Sequence, residues 1–206
     1  MKLDKLRLLV LITQSLKLTL AREIPLSRTS YNLLGVASFT ALTALGAFVW
    51  IPLPFTPIPI TLQTFFVLLG GAILGRRLGV LSQLLYIGLG GLGLPIFAGF
   101  GGGLPRLVGP AGGYYIGFVL AAYLVGRMAK KKKANLWSLM LIMGVGEGII
   151  LFLGTLWLTC VLRIGIGQGL YLGLIPFLPG DMVKLAAAAS VCYGMQSKFT
   201  TSSNKQ

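Results

Sequence analysis

Apolar residues in this chain fall into six long runs, roughly Leu33–Ile51, Ile58–Gly75, Leu78–Leu94, Ala111–Met128, Leu136–Leu162 and Pro176–Met195. Each approaches or exceeds the length of a bilayer-spanning helix, and none alternates as a barrel strand does. Only Arg76 and Arg77 separate the second run from the third, which predicts a tight helical hairpin. The pattern predicts an all-α integral membrane protein, a six-transmembrane-helix bundle.

Composition agrees. Of the 206 residues, 55% are hydrophobic and 11% charged, and mean hydropathy is +0.86. A soluble domain of this size lacks the polar residues to cover such a core. The net charge of +14 does not mark a nucleic-acid partner, because the basic residues sit at the ends of apolar runs rather than among aromatics on one face. With the N-terminus in the cytoplasm, fifteen of the 18 basic residues fall on the inner side. This asymmetry predicts both termini cytoplasmic. The expected organisation is a basic extension over 1–30, a membrane domain over 31–197 and a cytoplasmic tail over 198–206. The extension reads either as a surface helix with Leu3, Leu6, Val10 and Leu16 in the lipid or as a disordered tail. The two cysteines, Cys160 and Cys192, read as small buried hydrophobes rather than a disulfide. There is no histidine, so neither a histidine-dependent triad nor a transition-metal site is expected.

Three basic residues break the charge pattern: Arg106, Arg163 and Lys184. Two acids, Glu147 and Asp181, lie within spans. Charges at membrane depth cost several kcal/mol unless paired or wet, and so mark function. Asp181 and Lys184 stand three residues apart in "LPGDMVK", about 60° apart around a helix. Pro179 and Gly180 are expected to break the chain ahead of that helix, leaving Asp181 at its N-cap or first turn. The pair reads either as an internal salt bridge or as a carboxylate and an ammonium presented to a ligand. Glu147 has three readings: paired with a base, lining a pathway, or protonated against a neighbouring helix.

Two further connections are expected to be irregular and on the outer side. "WIPLPFTPIPITLQT" carries four prolines, Pro52, Pro54, Pro57 and Pro59, so no helix begins before about Ile60. It is either a rigid connector or a stiff loop presenting Thr56, Thr61 and Gln63. "GLPIFAGFGGGLPRLVGPAGGYY" holds seven glycines between Gly93 and Gly112, with Phe97, Phe100 and Arg106 as its chemical side chains. Its spacing fails the dinucleotide fingerprint, and no Walker A sequence occurs in the chain. Along the first run, Ala37, Ala41 and Ala44 with Ser38 form a small-residue stripe, suited to packing within the bundle or to docking a second membrane protein.

Together these segments resemble the BioY family, the biotin-specific S component of energy-coupling factor (ECF) transporters. The resemblance covers Leu33 to Met195 and rests on "PFTPIPITLQT", "LGGLGLPIFAGFGGG", "GPAGGYY" and "PFLPGDMVK", in that order. It implies a subunit that captures biotin from outside the cell and works with a membrane T subunit and two cytoplasmic ABC ATPases. Biotin is then transported substrate, and no cofactor is expected. Asp181 and Lys184 match positions that engage the ureido ring. Arg106 matches a basic residue that meets the valerate carboxylate, and Thr56 or Thr61 supplies the first-loop contact. Phe97 and Phe100 suit the thioether ring and alkyl chain. The Ala37–Ala41 stripe, with Ala44, looks like the surface that docks to the T subunit. Ala111 stands where the family often has threonine, and Glu147 is not a family mark. Competing readings are an S component for another small vitamin and a stand-alone facilitator. No nucleophile–base set points to an enzyme.

Overall fold

The computed structural model describes residues 27–129 and 135–203, with side chains to 196. The expected surface helix of the N-terminal extension lies outside the described residues, as do Lys130–Lys133. Contacts divide the chain into Met1–Leu33 and Leu34–Gln206, and the architecture below is that of the second unit.

Six long helices form, in the expected order. They are α1 (Arg28–Phe48), α2 (Gln63–Leu74), α3 (Arg76–Gly91), α5 (Gly112–Ala129), α6 (Leu136–Leu162) and α8 (Leu178–Ser203). Between them lie two short helices, α4 (Leu104–Val108) and α7 (Ile166–Gly173). By length and apolar composition α1 and α6 can each cross a membrane, and α7 with α8 pass the same test together as a pair bent by 51°, a broken span or a re-entrant loop. The twelve residues of α2 extend only about 18 Å, short of the ~30 Å hydrocarbon core. The second expected run is shorter as helix because its first residues are taken up by a β-ladder.

That ladder is the one departure from an all-helical fold among the described residues. Strand β1 (Trp50–Ile51) pairs antiparallel with β2 (Ile60–Thr61), Trp50 opposite Thr61. The four prolines lie in the loop between them, where no ladder hydrogen bond is asked of them. The α2–α3 turn also differs from expectation. Arg76 and Arg77 begin α3, and the turn is Gly75 alone, at φ 78° and ψ 175°, a backbone conformation open to glycine at little cost.

Helix α5 is the centre of the bundle, packed against α2, α3 and α6. It gets this close because its glycines present no side chain. A Cβ on Gly117 would lie 2.7 Å from the Ile150 Cα, and Gly71 of α2 is pressed against Ala122. Such small-residue contacts drive helix association where lipid is as apolar as the side chains. Helix α1 joins this group through a buried stripe of Val36, Phe39, Thr40, Thr43, Ala44 and Ala47. Its hydroxyls are satisfied as burial requires: Thr40 donates to the Ser82 carbonyl at 3.0 Å, and Thr43 accepts from Gln83 Nε2 at 3.3 Å. On α8 the buried stripe is Leu185, Ala188, Ala189 and Cys192. Both cysteines are free. Cys192 is buried as expected, but Cys160 is on the exterior of the bundle, because it falls on the outward face of α6.

Gly117 and Gly148 make a matched pair for testing this packing, since a Cβ on Gly148 meets nothing within 4 Å. Gly117→Ala is expected to destabilise the protein by about 1–3 kcal/mol through overpacking. Gly148→Ala is expected to be neutral or stabilising by up to about 1 kcal/mol through helix propensity. Thermal unfolding midpoints in one detergent compare the two.

Candidate functional site

The site is assembled where α8 begins. The chain leaves α7 at Gly173, turns, and enters α8 at Leu178, so the break comes before Pro179 and Gly180 rather than at them. Both sit in the first helical turn, where the missing proline N–H is not needed. Asp181 is also in that turn. It is 3% exposed, and the helix N-terminus favours its negative charge.

Lys184 stands one turn on. Its ammonium forms a salt bridge with the Asp181 carboxylate, and it also donates to the Thr61 carbonyl at 2.8 Å. The second bond ties α8 to the β1–β2 hairpin. The expected acid–base pair is therefore real, buried, and joined to the first loop by the same cation. Glu147, midway along α6, is 5% exposed. Neither of its carboxyl oxygens meets a donor group; its neighbours are the Asp181 carboxyl, within hydrogen-bonding reach, and the Lys184 ammonium.

Asp181 and Lys184 open onto a cavity of about 520 Å³ of empty space, its open mouth included. Thr61, Gln63 and Thr64 supply one wall. Tyr114, Tyr115 and Phe118 of α5 supply another, and Phe177 stands beside Asp181. The aromatic wall is held from behind. Phe97 stacks on Tyr115 with ring centres 4.7 Å apart and meets Tyr86 edge-on at 5.5 Å, and Gly90 leaves the room that its ring occupies. Tyr114 is fixed by donating its hydroxyl to the Gly173 carbonyl at 2.6 Å.

A second chamber of about 490 Å³ adjoins the first at Pro59 and Ala98. Trp50, Thr56, Gly99 and Arg106 contribute to its walls. The Gly-rich connection is not wholly irregular here. Ala98–Phe100 form a 3-10 turn, and Leu104–Val108 form α4, which begins after Gly103 at φ 87°. The Arg106 guanidinium lies over Gly101, where a Cβ would come within 2.6 Å of Nε. The two chambers thus have chemically different ends. One holds a buried carboxylate and a half-buried ammonium, the other an exposed arginine, and Pro59 and Ala98 line both.

The expected site residues divide accordingly. Asp181, Lys184 and Thr61 line the first chamber, and Thr56 and Arg106 the second. Thr56 accepts from the Ile58 amide at 3.4 Å. Phe97 and Phe100 line neither. The bridge between Phe97 and Gly101 turns Phe97 into the core. Phe100 is 64% exposed and stacks on Phe48 at 4.8 Å. The aromatic surface comes instead from α5 and Phe177. Its signal was present in the quoted "GPAGGYY" and "PFLPGDMVK", whose tyrosines and phenylalanine flank the helix starts. Gln63, which the loop was expected to present, and Thr64, which was not singled out, also line the cavity. On α1, Ala37, Ser38 and Ala41 are exposed, but Ala44 is buried, because it falls on the core stripe and not on the outer one.

Comparison with known proteins places this geometry. The BioY family model matches residues 17–201. The biotin transporter BioY of Thermotoga maritima is 43% identical over 161 residues, 78% of this chain and 92% of that protein. A probable biotin transporter BioY of Pyrococcus horikoshii is 42% identical over 161 residues, 78% of this chain and 93% of that protein. A crystal structure at 2.1 Å of the S-component for biotin from an ECF-type ABC transporter superposes with a TM-score of 0.77 at 29% identity. It covers 82% of this chain and 93% of its own. A family match across nearly the whole chain, relatives named as transporters and the shared fold lead to one conclusion: the chain belongs to the BioY family.

Proposed function

We propose that this protein is the biotin-binding S component of an ECF-type importer, capturing biotin on the extracytoplasmic side for ATP-dependent uptake. The observation that carries the reading is the pair of adjoining pockets, one with Asp181 and Lys184 and the other with Arg106. Biotin offers a cyclic urea with two N–H donors and a carbonyl, an apolar bicycle and chain, and a carboxylate. Asp181 accepts from ureido N–H groups, and Lys184 donates to the carbonyl. The aromatic wall takes the ring system, and Arg106 meets the carboxylate. Thr61 and Thr56 provide first-loop contacts, one in each chamber. Phe97 takes part by backing Tyr115.

The six long helices are the six spans, with both termini cytoplasmic and the multi-pass bundle in the cell membrane. Support comes from α5, whose first turns line the cavity and whose last turn carries Arg127. Gly126 of that turn packs on Gly75 and Arg76, so these basic residues gather at the end away from the site, as cytoplasmic residues do. Residues 31–197 are the binding domain, 1–30 an extension and 198–206 a tail. No Walker A sequence occurs in the chain, so the energy comes from partners: a T subunit in the membrane and two cytoplasmic ATPases. The exposed face of Ala37, Ser38 and Ala41 is the surface offered to the T subunit.

Calorimetric titration of the purified protein tests the reading. Biotin is expected to bind below micromolar concentration, and tight binding of another vitamin with none of biotin would overturn the assignment. Asp181→Asn is expected to weaken biotin by more than about 1.5 kcal/mol, the scale of a charge-assisted hydrogen bond. Arg106→Ala is expected to weaken biotin more than a biotin amide that lacks the carboxylate charge. Equal losses for the two ligands would remove Arg106 from that role. Ala41→Leu is expected to leave isolated binding intact and to impair co-purification with the T subunit. Lost binding in that variant would place Ala41 in the bundle's interior instead.

A further inference from the structure

Gln63 opens α2 and lines the cavity beside Lys184. Its side chain is 96% removed from solvent, being only 4% exposed. It stands in a chain of hydrogen bonds that begins at a backbone carbonyl. Tyr86 donates its hydroxyl to the Ile96 carbonyl of the Gly-rich connection at 3.2 Å. A carbonyl can only accept, and a phenol has one proton. Tyr86 must therefore accept at its other contact, 2.7 Å from Gln63 Nε2. That fixes which end of the amide is nitrogen. The carbonyl end, Oε1, then receives the Thr61 hydroxyl at 3.1 Å. The amide orientation, ordinarily ambiguous between O and N, is set here by Ile96 through Tyr86.

An amide nitrogen carries two hydrogens. One goes to Tyr86, and among the described residues no second acceptor bonds Nε2. Lys184 is in a matching position, with one N–H directed to Asp181 and one to the Thr61 carbonyl and a third left over. Two unspent donors, one charged and one neutral, thus belong to side chains that line the same cavity.

Resting on the biotin reading above, we propose that Gln63 is a specificity-determining residue that offers its second amide N–H to the ureido carbonyl alongside Lys184, with Tyr86 as the positioning residue that holds the amide in the donating orientation. The arrangement selects ligands whose ring bears an acceptor between two N–H groups. A ring with a donor at that place leaves both protein N–H groups facing hydrogen, buried and unpaired, which is strongly disfavoured.

The test compares biotin with 2-iminobiotin, in which the carbonyl oxygen is replaced by a nitrogen that bears hydrogen. Wild-type protein is expected to prefer biotin. Gln63→Leu is expected to weaken biotin at least about tenfold, the scale of one buried hydrogen bond to a polar group, while 2-iminobiotin changes by less than about threefold, so that the ratio narrows. Tyr86→Phe keeps the amide but removes its orienting contact. It is expected to narrow the same ratio by a smaller factor, and the double variant to be no worse than Gln63→Leu alone. Equal weakening of both ligands by Gln63→Leu would make the residue a scaffold element and overturn the assignment. An unchanged ratio in Tyr86→Phe would overturn the orienting role, even if Gln63→Leu is too unstable to titrate. Absence of biotin binding to the wild-type protein would overturn the biotin reading and this proposal together. Wild-type binding with equal losses overturns this proposal alone.

Discussion

The Lys184 ammonium is the group on which the site depends. A lone cation in an apolar bundle is expensive, and a lone carboxylate is equally so. Lys184 answers Asp181, and Asp181 answers Lys184, but the ammonium has donors to spare. One reaches the Thr61 carbonyl, so the charge pair also fastens the β1–β2 hairpin over the start of α8. Removing either charge would leave the other buried and unpaired, and would loosen the hairpin as well. Local electrostatics at the α8 N-terminus and the position of the first loop are one and the same interaction.

Rigidity around that cation comes from two different sources. On the α5 side it is close packing. Gly117 against Ile150, and Gly71 against Ala122, bring backbones together so that the tyrosines at the start of α5 have little room to move. On the loop side it is restricted backbone. The prolines between β1 and β2 fix φ over much of the hairpin loop, and the two-rung ladder sets its base. Phe97 joins the two sides, stacked on Tyr115 of α5 while belonging to the Gly-rich connection. The aromatic wall and the loops therefore share one buried cluster, and cavity-lining residues contributed by distant stretches of sequence are held in register.

Much of this was legible in the sequence where a single strong cost decided the outcome. Apolar runs of membrane length became helices in their expected order, since backbone groups in lipid have few other ways to be satisfied. Asp181 and Lys184 were identifiable because charges at that depth need a reason. What sequence could not supply was the direction of side chains in loops and at turns. Phe97 and Phe100 are three residues apart in a Gly-rich segment, and a local bridge sends one into the core and the other outward. Gly75, rather than the adjacent arginines, makes the α2–α3 turn, because charge is conspicuous in a sequence and a positive φ is not. Ala44 shares its spacing with Ala37 and Ala41 but lies on the buried stripe, a difference that depends on which face α1 turns to its neighbours. Gln63 was expected as a residue the loop presents, but its hydrogen bond to Tyr86, distant in sequence, was not legible.

The distribution of donors explains how one cavity can be both closed and occupied. If the ligand competed for the proton donor that holds the hairpin, filling the site would release its cover. The geometry avoids this conflict. Lys184 uses two N–H groups on Asp181 and Thr61 and keeps a third. Gln63 uses one on Tyr86 and keeps a second. The Asp181 carboxylate, which accepts from one lysine, still has lone pairs for further N–H groups. A urea can satisfy each of these remaining valences without breaking any bond that positions the loops. On the proposed binding mode, the network that makes the empty site tolerable in a membrane stays intact, and ligand bonds add to it rather than replace it.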